Sequence, residues 1–318
     1  MVSYSKEAKI YVADNCSTDD SVAFVESEYP EITLILNKEN GGFAKGYNDA
    51  LAHVSEEIYV LLNSDIEVTT DWINPCLALL DSDPEIAAVQ PKVLSYRDKT
   101  KFEHAGAAGG FLDKEYYPFC QGRIFDAIES DVGQYNENRE IFWATGACLF
   151  IRSTVFHEQG GFDEDFFAHM EEIDLCWRIK SRGKRIYYCA DSTIYHVGGG
   201  TLDYANPRKT YLNFRNSLYL ILKNHKGWLF FKLFKRLSLD GMAAGVFLLK
   251  GEFANFWAVL KAHVSFYGKL GKMLKKRKAV QASRTHFNPK GLYMKTIVFK
   301  RFMGGLRSFS ELDESEFL

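Results

Sequence analysis

Three carboxylates within one short segment are the residues of this sequence best suited to acid–base chemistry. Glu171, Glu172 and Asp174 lie in residues 160–178, which read GGFDEDFFAHMEEIDLCWR. From Glu171 onward the apolar residues recur at helical spacing, so Glu171 and Asp174 share one face of a predicted helix and Glu172 lies on another. The aromatic residues just upstream favour burial, which raises a carboxyl pKa and suits a general base. The helix dipole also stabilises acids at a helix start by roughly 0.3–1 kcal/mol, so spacing alone leaves a structural role equally open.

Short strands and helices alternate along the first two thirds of the chain. Apolar runs predict strands at 9–13, 32–36, 57–62, 86–90, 147–152, 184–189 and 192–197. Capping residues and apolar spacing predict helices from Ser17 or Thr18 to Glu28, over 42–53 and from Asp71 to Leu80. This alternation predicts an α/β fold with a mainly parallel, Rossmann-like sheet and helices on both faces.

Three polar clusters follow predicted strands at what would be one edge of this sheet. They are Asp14, the loop at Asn40, and Asp65. Ligands of such sheets bind beyond the carboxyl ends of the strands, so the clusters predict a binding site there. Each position also has an ordinary explanation, because Asp14 and Asp65 suit a turn or a cap and His196, ahead of three glycines, suits a loop.

Two regions depart from the alternation. Residues 95–140 are rich in glycine and aromatic residues, which predicts irregular structure with a hairpin, either an acceptor-side loop or a surface insertion. Residues 211–278 interleave lysine and arginine with large apolar side chains, which favours amphipathic helices at a membrane surface over a helical bundle packed on its own core or on a partner chain. In the first case anionic head groups would face Lys226, Lys232, Lys235 and Arg236. The acidic tail beyond Ser308 is expected to fray.

Composition excludes several classes of protein. The net charge of −2 argues against bulk nucleic-acid binding, as does the mixing of basic with aliphatic residues. The six cysteines lack metal-ligand spacing and several lie in apolar runs, which favours reduced thiols in the cytoplasm. No apolar run reaches the ~18 residues of a membrane-spanning helix. A nicotinamide-dependent dehydrogenase is disfavoured because no GxGxxG follows the first strand.

Six motifs occur in an order and at spacings typical of one enzyme family. They are VADNCSTDDS (12–21), NKENGGFAKGYNDAL (37–51), LLNSD (61–65), ATGACLFIR (144–152), the 160–178 segment and YHVGGGT (195–201). Over residues 8–220 the chain resembles the inverting family 2 glycosyltransferases with a GT-A fold, especially their rhamnosyltransferase-like branch. Together, the resemblance and the composition of the C-terminal third predict three regions: a glycosyltransferase domain at 1–208, membrane-associating helices at 209–280 and a tail at 281–318.

The resemblance also implies roles for individual residues. Glu172 would be the general base, with Glu171 as the alternative and Asp174 in support, paired with Arg178. Asp65, the last acid of a relaxed DxD motif that reads NSD here, and His196 would hold Mg²⁺ or Mn²⁺, with imidazole slightly favouring Mn²⁺. Contacts to the nucleotide are implied for Asp14, Asn15, Asn40, Gly41, Gly42, Lys45 and Ser64.

The implied reaction is transfer of a sugar, rhamnose or a hexose, with inversion, in cell-surface polysaccharide synthesis. The donor would be a dTDP- or UDP-sugar, and the acceptor a glycan or a lipid-linked molecule at the cytoplasmic face of the inner membrane. One feature departs from the family, since the usual first strand and helix have no counterpart ahead of Lys9. Either the start of the chain is misassigned, which we favour, or the protein is a truncated, inactive scaffold that keeps the fold.

Overall fold

The computed structural model describes residues 1–198 and 206–318, so the last three residues of the YHVGGGT motif, 199–201, lie outside the described residues. The strands are β1 Tyr11–Asp14, β2 Thr33–Leu36, β3 Ile58–Leu62, β4 Ile66–Val68, β5 Ile86–Ser95, β6 Gly110–Asp113, β7 Pro118–Cys120, β8 Arg123–Ile124, β9 Ala127–Ile128, β10 Arg139–Glu140, β11 Cys148–Arg152, β12 Arg185–His196 and β13 Leu292–Tyr293. The helices are α1 Ser21–Glu28, α2 Gly42–Leu51, α3 Asn74–Ser82, α4 Ser153–Glu158, α5 Glu171–Lys180, α6 Pro207–Asn224, α7 Leu229–Leu249, α8 Phe253–Gly268, α9 Leu270–Ala282 and α10 Ile297–Phe302.

The central sheet has six strands in the order β10-β12-β5-β11-β3, with β4 paired to β12. Nine of the ten residues of β5 are buried, as expected of an apolar strand between two neighbours. The prediction of a mainly parallel sheet is wrong here, because only β5 and β12 pair in parallel while β11 runs antiparallel to both β3 and β5. An apolar run shows that a strand is buried but does not show its direction. Strand β11 is separated from β5 by the long segment 96–147, so its direction cannot be inferred from a short connection.

Strands β1 and β2 form a separate parallel pair. Each of β1 and β3 has one partner strand among the described residues, and the two are not paired with each other. Helix α2 connects the pair to β3 in sequence, and its buried residues include Ala44 and Leu51. This arrangement places the carboxyl end of β1 beside the start of α2.

Residues 95–140 contain more regular structure than the sequence suggested. Strands β6 to β9 form an antiparallel meander, and β13 from the C-terminal region adds to it in parallel through β6. The prediction of a frayed tail is also wrong. Phe309 is 2% exposed, and the ring centroid of Phe317 lies 4.8 Å from that of Tyr293. Aromatic burial therefore holds a tail whose acidic composition suggested disorder.

The C-terminal helices pack on one another and on the sheet domain. Helix α6 contacts α7, α8 and α9 and also reaches α5. Large apolar side chains nevertheless remain in solvent along α7 and α8, among them Phe230, Phe231, Phe234, Leu249, Phe253, Trp257 and Val264. In the described part of the chain, no helix has both the length and the apolar character needed to cross a membrane.

Candidate active site

The turn after β1 and the loop before α2 are joined by asparagine side chains. The amide of Asn15 donates to the side chain of Asn40 and to the carbonyl of Gly42, both at 3.2 Å. Asn37 donates to Asn15 at 3.3 Å and to the carbonyl of Gly46 at 3.0 Å. The sequence-predicted residues Asn15 and Asn40 are therefore brought together in one polar cluster.

Asp14 shapes the turn at the end of β1. Both of its carboxylate oxygens lie within 3.3 Å of the amide nitrogen of Ser17, which donates to them. This turn delays the following helix, which begins at Ser21 and not near Ser17 or Thr18 as predicted. Asp14 thus acts as a turn residue in this structure, while it remains at the strand end where a nucleotide contact is predicted.

Gly42 connects this loop to the acidic segment. Its φ of +80°, together with a Cβ position only 2.6 Å from the carbonyl oxygen of Phe167, requires glycine. The same carbonyl accepts a hydrogen bond from the amide of Ala44 at 3.2 Å. Lys45 follows Ala44 in α2, and its Nζ atom lies 2.5 Å from a carboxylate oxygen of Asp49. The Cβ position of Gly41 lies against the Lys45 side chain, which places both residues on the same loop surface.

The segment that leads into α5 has an unusual backbone. Three non-glycine residues have positive φ, namely Phe167 at 67°, His169 at 68° and Met170 at 71°. Such conformations cost on the order of 1–3 kcal/mol each and persist only where the surroundings impose them. Strain of this kind clusters at functional sites, and here it immediately precedes the candidate general base.

Helix α6 holds this segment in place. Asn216, which is fully buried, donates to the carbonyls of Phe166 at 2.9 Å, Ala168 at 2.9 Å and His169 at 2.7 Å. Arg215 donates to the Phe166 carbonyl at 2.9 Å. We call these two side chains the α6 clamp. The clamp compensates backbone carbonyls that no regular structure satisfies.

Glu171 and Glu172 open α5 as predicted, and they differ in exposure. Glu171 is 4% exposed, whereas Glu172 is half-buried. Burial, followed by the charge of Glu172, raises the pKa of Glu171 well above its usual range. Burial also raises the pKa of Glu172, to about 7. A carboxyl group with such a pKa, reachable from solvent, is suited to accept a proton at neutral pH.

The start of α5 lies close to the start of α2, on either side of Gly146. A Cβ built on Gly146 would lie 3.1 Å from the ring of Phe43 and 3.7 Å from the Cβ of Glu172. Gly146 therefore separates the start of α2 from the start of α5. The close approach brings the candidate base next to the loop that contains Asn40 and Gly42.

Asp174 is buried within an ion-pair network. It accepts from Arg178 at 2.9 Å, as the four-residue spacing predicts, and from Lys223 and Asn224 at 2.8 Å each. Burial by itself would raise the pKa of Asp174, but Lys223 and Arg178 lower it to about 2. Asp174 has no exposed surface, and its ion pairs join α5 to α6.

Asp65 and His196 come together as predicted. The Nε2 atom of His196 lies 3.2 Å from Asp65, and Nδ1 lies 3.1 Å from Glu103. Burial alone would lower the pKa of His196, but the two carboxylates raise it to about 9. Ser64 is exposed beside Asp65 at the end of β3.

The donor set at Asp65 and His196 suits a divalent cation. Two ligand atoms at right angles on an octahedral Mg²⁺ are about 3 Å apart. The Nε2 atom of His196 and the Oδ1 atom of Asp65 are 3.2 Å apart, which is close to this separation. Glu103 lies where a carboxylate would orient a metal-binding imidazole. Within the described residues no group of three His, Cys, Asp or Glu side chains is gathered into a complete metal site, so water or a substrate would fill the remaining positions around a bound cation. Ligation also requires His196 to lose the proton that the carboxylates favour.

Sequence reasoning missed four residues that organise the site, namely Glu103, Arg215, Asn216 and Lys223. The sequence signal for Arg215, Asn216 and Lys223 was their position beside the apolar run 218–222 of α6, and they are at most 7% exposed. Glu103 lies in the region that was expected to be irregular, and its pairing with His196 has no local signal.

Comparisons with known proteins identify the family. Residues 3–159 match the model of glycosyl transferase family 2. The chain is 23% identical over 241 residues to the N-acetylglucosaminyl-diphospho-decaprenol L-rhamnosyltransferase of Mycobacterium tuberculosis, covering 70% of this chain and 77% of that protein. It is 26% identical over 156 residues to rhamnosyltransferase WbbL of Escherichia coli K12, covering 46% of this chain and 57% of that protein.

The fold has a known counterpart as well. The structure of GalNAc-T7 with UDP, GalNAc and Mn²⁺ is similar with a TM-score of 0.52 at 14% identity, covering 68% of this chain and 42% of that chain. This likeness supports the GT-A fold, with a mixed rather than mainly parallel sheet. The chain is therefore a family 2 glycosyltransferase with a GT-A fold, similar to rhamnosyltransferases.

Proposed function

We propose that this transferase moves rhamnose or a hexose from a dTDP- or UDP-sugar to a glycan or lipid-linked acceptor, with inversion, in cell-surface polysaccharide synthesis. The observation that carries the proposal is Glu172, whose pKa burial raises to about 7, at the end of a strained segment beside the glycine loop. The relatives support the substrate class, since one is a rhamnosyltransferase that acts on a diphospho-decaprenol-linked sugar.

The mechanism is a single displacement at the anomeric carbon. Glu172 accepts the proton of the acceptor hydroxyl while the hydroxyl oxygen attacks the anomeric carbon from the side opposite the leaving group. The bond between the sugar and the nucleoside diphosphate breaks, and the configuration inverts. Asn216 and Arg215 hold the segment before Glu172, so that the base keeps its position during the reaction.

Asp65 and His196 are the residues that would hold the divalent cation, with Glu103 orienting the imidazole. A cation bound there would stabilise the negative charge of the departing diphosphate. Asn15, Asn40, Gly41, Gly42, Lys45, Ser64 and Asp14 would line the nucleotide.

We place the protein at the cytoplasmic face of the membrane as a peripheral protein. The support is the exposed apolar surface of α7 and α8, together with Trp228, the residue before α7, which is 83% exposed, and Leu249, the last residue of α7, which is 90% exposed. Single exposed apolar residues are common on proteins, but a group of them on neighbouring helices suits a protein interface or a lipid bilayer. Sedimentation with phosphatidylglycerol vesicles tests the placement, and Trp228→Ser with Leu249→Ser should reduce the bound fraction.

The transfer reaction is tested with a panel of dTDP- and UDP-sugars in the presence of Mn²⁺ or Mg²⁺. Glu172→Gln should abolish transfer and leave nucleotide binding intact, because only the base is lost. Glu158→Gln on α4 is the matched control, since Glu158 is an exposed acid away from the site. A chain that binds no nucleotide with either metal would instead be the inactive scaffold.

A further inference from the structure

A cavity of about 710 Å³ lies between the acidic loop before α5, the first turn of α6 and α8. Phe167 forms part of its wall, and the carbonyl of the same residue accepts from Ala44 on the nucleotide side. The cavity is therefore next to the segment that leads into Glu172. None of the residues with predicted nucleotide contacts lines it.

The wall of the cavity contains a buried cation without a counter-ion. Arg215 is 7% exposed and its acceptors are neutral, among them the Asn216 side chain at 2.8 Å, the Phe166 carbonyl at 2.9 Å and the hydroxyl of Tyr211 at 3.3 Å. No carboxylate pairs with Arg215 in the part of the chain that the structure describes. A buried charge is costly when it is not paired, and an anionic ligand would reduce that cost.

Two further cationic side chains, Arg208 and Lys261, line the cavity. The guanidinium of Arg208 lies 5.2 Å from the ring of Phe167, and the ammonium of Lys261 lies 5.5 Å from the ring of Tyr211. Both side chains line the cavity, and neither forms an ion pair with a carboxylate of residues 1–198 or 206–318. Arg208 is also in the first turn of α6, where the helix dipole adds positive potential.

Two acidic residues also line the cavity, and of these Glu164 is exposed to solvent. Asp165 is paired with Lys272 at 2.7 Å and also with Lys269 and Lys276. Burial alone would raise the pKa of Asp165, but Lys272 and Lys276 lower it below its usual range. The cationic side chains of the wall therefore remain available to a ligand.

An apolar surface leads away from the cavity along α8. Trp257 lines the cavity and is 64% exposed, and Leu260 and Val264 follow at helical spacing with 36% and 72% exposure. A ligand that fits both features has an anionic group and a long apolar chain.

We propose that this cavity binds the diphosphate of a lipid-linked acceptor through Arg215, Arg208 and Lys261, with the lipid chain along Trp257 and the apolar face of α8. The inference rests on the proposed function, because it names the acceptor of that same reaction. The donor also carries a diphosphate ester and could in principle occupy the cavity. The residues predicted to contact the donor do not line the cavity, so we assign the cavity to the acceptor.

The test measures binding of farnesyl diphosphate and of UDP with Mn²⁺ to the full chain by calorimetry. We expect the double variant Arg208→Ala/Lys261→Ala to weaken farnesyl diphosphate binding by about ten- to a hundred-fold and to leave UDP binding unchanged. Trp257→Ala should weaken farnesyl diphosphate but not inorganic diphosphate. Lys275→Ala, an exposed lysine of α9, is the control and should change neither. Thermal unfolding of each variant, with the single variants Arg208→Gln and Lys261→Gln, separates lost contacts from lost folding.

Three outcomes would overturn the inference. They are no binding of farnesyl diphosphate by the wild-type chain, unchanged binding in the double variant, and an equal loss of UDP binding, which would assign the cavity to the donor. Failure of the proposed function is distinct, because it appears as a wild-type chain that binds no nucleotide and transfers no sugar.

Discussion

Loss of Asn216, one of the two residues of the α6 clamp, should lower both the stability of the fold and the rate of transfer. Asn216→Ala deletes three hydrogen bonds to the carbonyls of Phe166, Ala168 and His169. Since Asn216 is fully buried, water does not replace the lost amide without rearrangement. The substitution therefore leaves carbonyls unsatisfied beside three residues of positive φ.

The magnitude follows from these contacts. The Asn216 amide has two N–H donors shared among the three carbonyls, and a net hydrogen bond contributes about 1 kcal/mol, so these contacts contribute about 2–3 kcal/mol to the free energy of unfolding. The strained residues store on the order of 1–3 kcal/mol each, which favours relaxation of the segment once the clamp is absent. A shift of the base of about 1 Å costs about a hundred-fold in rate, so we expect transfer to fall by that factor.

Urea unfolding and initial transfer rates are the two measurements. Asn213→Ala on the same helix is the matched control, because the Asn213 side chain is half-buried and has no hydrogen bond to the residues described by the structure. An Asn216→Ala protein that loses about 2–3 kcal/mol of stability at an unchanged rate would refute the coupling between clamp and base. An unchanged stability would refute the contribution of the three hydrogen bonds themselves.

Three further predictions concern the base, the glycine loop and the buried network. The transfer rate should rise as pH increases through about 7, because burial raises the pKa of Glu172 to that value and only its carboxylate accepts a proton; a flat profile of initial rates would contradict this. Gly42→Ala should lower the free energy of unfolding by about 1–3 kcal/mol, because its φ is +80° and a Cβ would clash with Phe167. The control is Gly268→Ala, where a Cβ has no neighbour within 4 Å, and the same urea titration should show an unchanged or slightly higher stability. Lys223→Met should cost about 3–5 kcal/mol of stability by leaving Asp174 short of a cation, and a loss below about 1 kcal/mol would mean that Arg178 alone neutralises it.

Much of the fold was predictable because strand and helix patterns are local. Strands β2, β3 and β11 and helix α2 lie within a few residues of their predicted positions. The predicted strands at 184–189 and 192–197 are one strand, β12, with an irregularity between Cys189 and Thr193. The direction of β11 and the docking of the tail depend on partners distant in sequence, so no local pattern could predict them.

The family, the order of the motifs and the pairing of Asp174 with Arg178 were predictable from the chain alone, because a family signature and a four-residue helical spacing are local patterns. The rest of the site depends on contacts between elements that are distant in sequence. The Asn224 amide, 50 residues from Asp174 in sequence, and Glu103 beside His196 reach their partners through the packing of separate elements. The pKa of Glu172 likewise depends on how deeply α5 is buried, which is a property of the packed molecule and not of the segment.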